Sequence, residues 1–333
     1  MKAFIIDRYG KNEPMRLGEV PEPVLRDDEV LIQVHAAGLN LLDSKLKSGE
    51  FKRILPYHMP LVLGHDVAGV VMRVGPRVRQ FKVGDEVYSR PPDHRIGTFA
   101  EFVAVNENDV APKPGNITME GAASLPLVSL TAWQALVERA NLQAGQKIFI
   151  QAGSGGVGTF AIQLSKQIGA TVATTTSSAN VELVKSLGAD TVIDYKNEDF
   201  GKVLRNYDVV LHSQDAGALE KSLHVLKPGG TLISISGPPD PAFATGIGAP
   251  WLVRLVVHLL SAGVRRRAKR RSLRYSFLFM RANGQQLREI SRLVDAGAIR
   301  PVIDRTFAFD SANEALAYVE SGHSKGKVVL KVK

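Results

Sequence analysis

Residues 147–158 read Lys147-Ile-Phe-Ile-Gln151-Ala-Gly153-Ser154-Gly155-Gly156-Val157-Gly158. The short apolar run predicts a β-strand, the glycines a turn, and the pattern from Val157 to Ile168 a helix. Gly153-Ser154-Gly155-Gly156-Val157-Gly158 fits G-x-G-x-x-G, and a strand before it with a helix after it is the context in which that spacing carries chemistry. Glycines permit a tight turn and let backbone N–H groups approach a pyrophosphate, while the helix N-terminus adds the positive end of its dipole. A glycine-rich turn without a ligand is the plainer alternative.

Downstream, short apolar strands are predicted at residues 171–175, 191–193, 209–211 and 231–235. Helical segments at 180–187 and 219–226 lie among them, and 275–280 reads as a sixth strand. Strands alternating with helices predict a parallel sheet covered on both faces. An NAD site places Asp or Glu about 20 residues beyond the loop, at the end of the second strand. Here that stretch is Thr174-Thr-Thr-Ser177-Ser178-Ala-Asn180, without a carboxylate, Arg or Lys. Hydroxyls can donate to a 2′-phosphate that a carboxylate would repel, so NADP(H) is favoured, with Ser177, Ser178 and Asn180 as candidate contacts. The same side chains suit capping of the helix near Asn180, and the two roles are compatible.

Upstream, residues 1–118 read as β-rich. Residues 29–36 alternate, 67–74 and 83–88 are β-branched runs bounded by glycines, and Pro112 and Pro114 mark a boundary. Two amphipathic helices, at 285–296 and 312–321, and a closing strand at 327–332 complete the pattern. The chain has 333 residues, enough for two domains, and no cysteine, so a disulfide, a thiolate metal site and a thiol nucleophile are all excluded. The N-terminus has no secretory h-region, and no apolar run reaches the roughly 20 residues of a membrane-spanning helix, so a cytoplasmic protein is expected.

The net charge of +9 is local in origin. Between Asp240 and Glu289 no residue is acidic, whereas Arg254, Arg265, Arg266, Arg267, Lys269, Arg270, Arg271, Arg274, Arg281 and Arg288 are basic; without these ten the chain is close to neutral. Residues 251–274 begin with apolar residues at helical spacing from Trp251 to Leu260 and end in the basic run that closes at Arg274. Two readings stay open: a helix packed on the protein or a subunit interface, and a peripheral foot on an anionic membrane. Nucleic acid is not expected, since no recognised fold or aromatic platform surrounds the run.

Together these segments resemble the quinone-oxidoreductase branch of the medium-chain dehydrogenase/reductase superfamily. The resemblance rests on Ala37-Gly-Leu-Asn40-Leu-Leu-Asp43, Leu63-Gly-His65-Asp66-Val-Ala-Gly69, Val83-Gly-Asp85-Glu-Val, Gly97-Thr-Phe-Ala-Glu-Phe102 and Leu125-Pro-Leu-Val-Ser-Leu-Thr131-Ala-Trp133. It continues through the glycine loop, Leu187-Gly-Ala-Asp190, Leu226-Lys-Pro-Gly-Gly230 and Gly322-His-Ser-Lys-Gly326-Lys-Val-Val. The segments occur in family order and cover nearly the whole chain. The tail looks most like plastid-envelope quinone oxidoreductase homologues and reticulon-interacting mitochondrial relatives.

The resemblance implies an α/β protein with a GroES-like β-rich catalytic domain at 1–121, a doubly wound Rossmann NADP-binding domain at 122–281, and a return to the catalytic domain at 282–333, with the cofactor in the cleft and a homodimer as the assembly. It places Asn40 and Asp43 beside the nicotinamide ribose and ring as the catalytic residues. Thr131 looks like the family's nicotinamide-side hydroxyl, and Tyr195 like its contact to the adenosine ribose or phosphate. Plainer roles are a turn residue for Asn40, a helix cap for Asp43 and a half-exposed aromatic for Tyr195.

Zinc members carry a catalytic Cys where this chain has Asn40, and a first zinc-ligating His where it keeps His65; a lone His makes no site, since zinc wants three protein ligands, and His65 reads as a hydrogen-bonded packing residue. The cysteine lobe of the zinc members is replaced by the short link 90–96. Lys45 and Phe51 stand near places where many relatives carry aromatics, and His212 where they tend to carry Asp. The implied activity is zinc-independent, NADPH-dependent hydride transfer to quinones or α,β-unsaturated carbonyl compounds, with no dedicated general acid in view. The alternatives are a non-catalytic NADPH-binding sensor or adaptor and a peripheral membrane reductase.

Overall fold

The computed structural model describes every residue except Arg53 and Ile54. The chain forms two compact units, residues 1–130 with 281–333, and residues 131–280. The division falls inside the helix Pro126–Trp133 rather than at residue 122.

In the first unit the long strand Glu29–Leu39 is central. It pairs with Asp66–Val74, with Phe102–Asn106, and with the C-terminal strand Lys327–Lys331, which carries Ile303–Ala308 on its far side. Glu86–Ser89 and Val110–Pro112 continue the sheet beyond Asp66–Val74. The alternation seen in 29–36 predicts one open face, yet most of the strand is buried; only Gln33 and His35 are half-exposed. Gly69 must be glycine, because a Cβ there would lie 1.9 Å from the Gln33 carbonyl oxygen on the paired strand. A smaller three-stranded sheet, Arg16–Glu19, Lys2–Ile6 and Leu61–Val62, completes the unit. Its first two strands lie in a region where the sequence shows no clear period.

The second unit is a six-stranded parallel sheet. Its strands, in chain order, are Lys147–Ile150, Thr171–Thr176, Thr191–Asp194, Tyr207–His212, Leu226–Ser234 and Arg274–Phe277. Across the sheet they run third, second, first, fourth, fifth, sixth, the doubly wound order in which the first and fourth strands diverge at a topological switch point. The apolar runs legible in the sequence are these strands, and the central ones are buried on both faces: Ile148, Phe149, Ile150, Val210 and Leu232 are inaccessible to solvent. One face is covered by the helix Ala216–Val225, through Leu219 and Leu223, and by Val264 and Ala268 from the second half of the helix Trp251–Arg270.

Candidate functional site

The glycine loop lies at the carboxyl end of the first strand and opens the helix Gly156–Ile168. Ala152 enters it in the left-handed region (φ 51°), a conformation that costs a non-glycine residue about 1 kcal/mol or more. Its N–H donates to Thr175 Oγ1 at 3.1 Å, and the Gly153 N–H to the Thr175 carbonyl at 2.9 Å, so the second strand holds the turn. Two glycines are dictated by the protein itself. A Cβ on Gly153 would meet Thr174 Oγ1 at 2.1 Å, and one on Gly158 the Ala152 carbonyl at 2.2 Å. Gly155 differs: its φ of −80° suits any residue, and a Cβ would meet only the Ala152 carbonyl oxygen, at 3.4 Å. The fold leaves that space open. The N–H groups of the first helical turn have no partners inside the helix, and they face outward at its N-terminus. A glycine that the protein does not require, beside uncommitted donors, is what the close approach of a pyrophosphate requires.

Beside the loop, Ser154 Oγ accepts from Thr176 Oγ1 at 2.9 Å and from Asn180 Nδ2 at 3.3 Å. Ser177 Oγ accepts from the same Asn180 nitrogen at 3.3 Å. Both serines act as acceptors in these bonds, so each keeps its own hydroxyl proton for an outside acceptor. Asn180 Oδ1 is buried without a partner. Neither Ser177 nor Asn180 caps a helix with its side chain, so the capping role read from the sequence is not the one adopted.

Ser178 departs from expectation in another way. It donates to Asp194 Oδ2 at 2.5 Å, a carboxylate brought alongside by the pairing of Thr176 with Asp194 on the third strand. The bonds from Ser178, the Lys196 N–H and Asn197 hold Asp194 below the usual carboxylate range. This acid is not legible at the end of the second strand, because the third strand supplies it. Tyr195, next in the chain, is exposed. Thr131 is buried in Pro126–Trp133, immediately before a π-helical stretch at Gln134–Arg139, an irregularity that sequence periodicity does not signal.

His212 ends the fourth strand at the switch point, fully buried. Its Nε2 meets the Asp215 carbonyl at 3.1 Å, which fixes the proton on that nitrogen, and Nδ1 accepts from Ser234 Oγ at 2.9 Å. Burial lowers its pKa, so the ring is neutral.

In the first unit, Asn40 and Asp43 belong to a buried polar cluster. Asn40 precedes the helix Leu41–Ser48, and Asp43 Oδ2 accepts its N–H at 2.8 Å, a capping contact. The other Asp43 oxygen lies 2.6 Å from His65 Nδ1. Asn40 donates through Nδ2 to Asp66 Oδ2 at 2.9 Å and accepts through Oδ1 from Lys327 Nζ at 2.5 Å. Lys327 also donates to the Leu39 carbonyl at 2.8 Å and to Asp66 Oδ2 at 3.0 Å, and Asp66 Oδ1 accepts the Leu127 N–H at 2.7 Å. His65 Nε2 is buried without a partner. Asp66 and Lys327 lie in segments that carry the family resemblance, but nothing local marks them as a pair; the strand pairing between Leu39 and Val328 joins them. His65 is buried and hydrogen-bonded, as the sequence reading has it, with Asp43 as the partner.

This donor set does not fit a catalytic zinc. It offers one imidazole nitrogen, an amide engaged at both ends, one carboxylate held by His65 and the Asn40 N–H and another neutralised by an ammonium, and the chain has no cysteine. Among the described residues no group of three or more His, Asp or Glu is placed to hold a metal.

Residues 26–115 match the alcohol dehydrogenase GroES-like domain, and residues 187–330 match the domain described as zinc-binding dehydrogenase. The mitochondrial NAD(P)H oxidoreductase RTN4IP1 of Mus musculus is 39% identical, over 100% of this chain and 89% of its own length. This chain belongs to the medium-chain dehydrogenase/reductase superfamily. Within that superfamily it is also 36% identical to the chloroplastic NADPH-dependent alkenal/one oxidoreductase of Arabidopsis thaliana, over 99% of this chain and 79% of that one. The solved quinone oxidoreductase from Coxiella burnetii superimposes with a TM-score of 0.86 at 33% identity, covering 100% of this chain and 99% of that structure.

Proposed function

We propose that this protein is an NADPH-dependent oxidoreductase that delivers hydride to quinones or α,β-unsaturated carbonyl compounds. The observation that carries the reading is the glycine loop at the switch point, where Gly155 leaves room for a pyrophosphate. The first-turn N–H groups would hold the pyrophosphate, and the Ser154 and Ser177 hydroxyls a phosphate on the adenosine ribose, with Asn180 orienting both serines through its side-chain N–H groups. Tyr195 and Thr131 are assigned to the adenosine and nicotinamide ends by family resemblance. When bound, the cofactor supplies the hydride; the protein binds and orients it.

The substrate class follows from the other cluster. Without a metal to polarise a carbonyl, the acceptor must stabilise its own developing anion, as a quinone or a conjugated enone does. The relatives named above as NAD(P)H, alkenal/one and quinone oxidoreductases agree with this. Asn40 is held at both ends, so it acts as a fixed wall rather than a moving donor. A proton reaches the reduced product from water or a ribose hydroxyl relay. His65, held at Nδ1 by Asp43 and open at Nε2, is the protein group of the cluster able to carry one. A cytoplasmic location and a homodimer belong to the same proposal.

The test is turnover against a panel of quinones, enones and simple aldehydes with NADPH and with NADH. Oxidation of NADPH by quinones or enones, and not by aldehydes, is expected. Tight NADPH binding without turnover on any of them would instead favour a cofactor-binding sensor.

A further inference from the structure

The helix Trp251–Arg270 has an outer surface that nothing among the described residues covers. Over its first three turns only Val257 is buried. Trp251, Leu252, Leu255, Val256, Leu259 and Leu260 are all at least half-exposed, Trp251 at 71%. At ~100° per residue these six occupy a continuous arc of roughly 180°, away from the stripe of Val257, Ser261, Val264 and Ala268 that faces the body. Packing on the body of this chain therefore does not account for this half of the helix, and a soluble surface rarely leaves so contiguous an apolar area open.

The next turns change character on the same outer side. Arg266, Arg267, Lys269 and Arg270 project over the arc that the apolar residues occupy one to four turns earlier. Arg267 pairs with Glu220 at 2.7 Å; Arg266, Lys269 and Arg270 have no ion-pair partner among the described residues. Apolar and basic groups thus succeed one another along the helix axis, whereas a helix lying flat at a membrane separates them around its circumference.

We infer that this helix docks the protein obliquely on an anionic lipid surface. The turns from Trp251 to Leu260 enter the hydrocarbon boundary, and the basic turns stay at the phosphate level. Ten residues at 1.5 Å each reach about 15 Å, half of a ~30 Å hydrocarbon core, so the helix dips into one leaflet. No described helix is long and apolar enough to cross a membrane. A second copy meeting this segment about a two-fold axis could cover the apolar turns. It would bring no acid to the basic ones, since residues 241–288 contain none. An anionic bilayer matches both halves. Docking stands apart from the reductase reading; its use does rest on that reading. The dock gives the enzyme access to quinones dissolved in lipid, for which NADPH and one proton yield NADP⁺ and the hydroquinone.

The experiment is cosedimentation of the full chain with phosphatidylcholine vesicles, with or without phosphatidylglycerol, alongside turnover on a water-soluble quinone. Wild type should bind only the anionic vesicles and detach as salt is raised. Leu255→Asp with Leu259→Asp should abolish binding. Arg266→Gln, Lys269→Gln and Arg270→Gln together should weaken it on the order of a hundred-fold. All variants should keep wild-type turnover on the soluble quinone. Failure of wild type to bind anionic vesicles at low salt overturns the inference. So does a wild-type dimer that Leu255→Asp with Leu259→Asp turns into monomers, which would make a second copy the occupant. Binding without quinone turnover in wild type would leave the dock standing and remove the reductase reading alone.

Discussion

At the glycine loop, the first-turn N–H groups and the hydroxyl protons of Ser154 and Ser177 have no partner among the described residues. In the Asn40 cluster, Lys327, Asp66 and Asn40 close on one another, and His65 Nε2 is the polar atom left over. One region of the molecule is built to be completed by a ligand; in the other the charged groups are already matched to one another. Buried polar groups are costly when unpaired, so open donors mark a binding site, and a closed set of charges marks a frame that fixes geometry. By the family resemblance, Asn40 and His65 stand where zinc members carry two metal ligands; here an ammonium on the C-terminal strand lies 2.5 Å from Asn40 Oδ1.

The comparison breaks most severely if Gly155 proves indifferent. Gly155→Val should leave the melting temperature nearly unchanged, because the fold leaves that Cβ room. It should also raise the Kd for NADPH by about a hundred-fold or more, since the side chain fills the pyrophosphate cradle. Fluorescence titration beside a thermal melt checks both; unaltered NADPH affinity would mean that the loop holds no pyrophosphate.

The closed region predicts the opposite pattern. Lys327→Met leaves the Asp66 carboxylate buried without its cation and should cost about 3–5 kcal/mol, or roughly 10 °C in melting temperature, whether or not NADPH is present. Adding Asp66→Leu removes the stranded charge and should restore part of that loss. A single variant as stable as wild type would show that the ion pair is not part of the frame.

A smaller effect sharpens the cofactor side. Ser177→Asp sets a negative charge against the 2′-phosphate and should weaken NADPH by about ten-fold more than NADH, measured as a ratio of dissociation constants. An equal loss for both cofactors would move the phosphate away from Ser177. The smallest expected change is none: exhaustive chelation should leave quinone reduction intact. Stoichiometric zinc by elemental analysis, with activity lost on its removal, would contradict the closed cluster.

Local patterns carried much of the architecture. The buried strands from Lys147 to Ser234 are short β-branched and apolar runs, the glycine loop is contiguous, and the helix Gly284–Asp295 has a plain 3.6-residue period, because each depends on residues a few positions apart. The basic segment too was visible as a composition change. The sequence left open whether its apolar turns are covered, because coverage depends on what else packs nearby.

Two functional features depend on pairings far along the chain. Asp194 reaches Ser178 because the second and third strands pair in parallel, which commits a hydroxyl that the sequence left free for phosphate. Lys327 reaches Asn40 across 287 residues because the last strand closes on Glu29–Leu39. Hydrophobic periodicity specifies which residues form a strand; register between distant strands specifies which side chains meet, and that is settled only when the sheet is assembled.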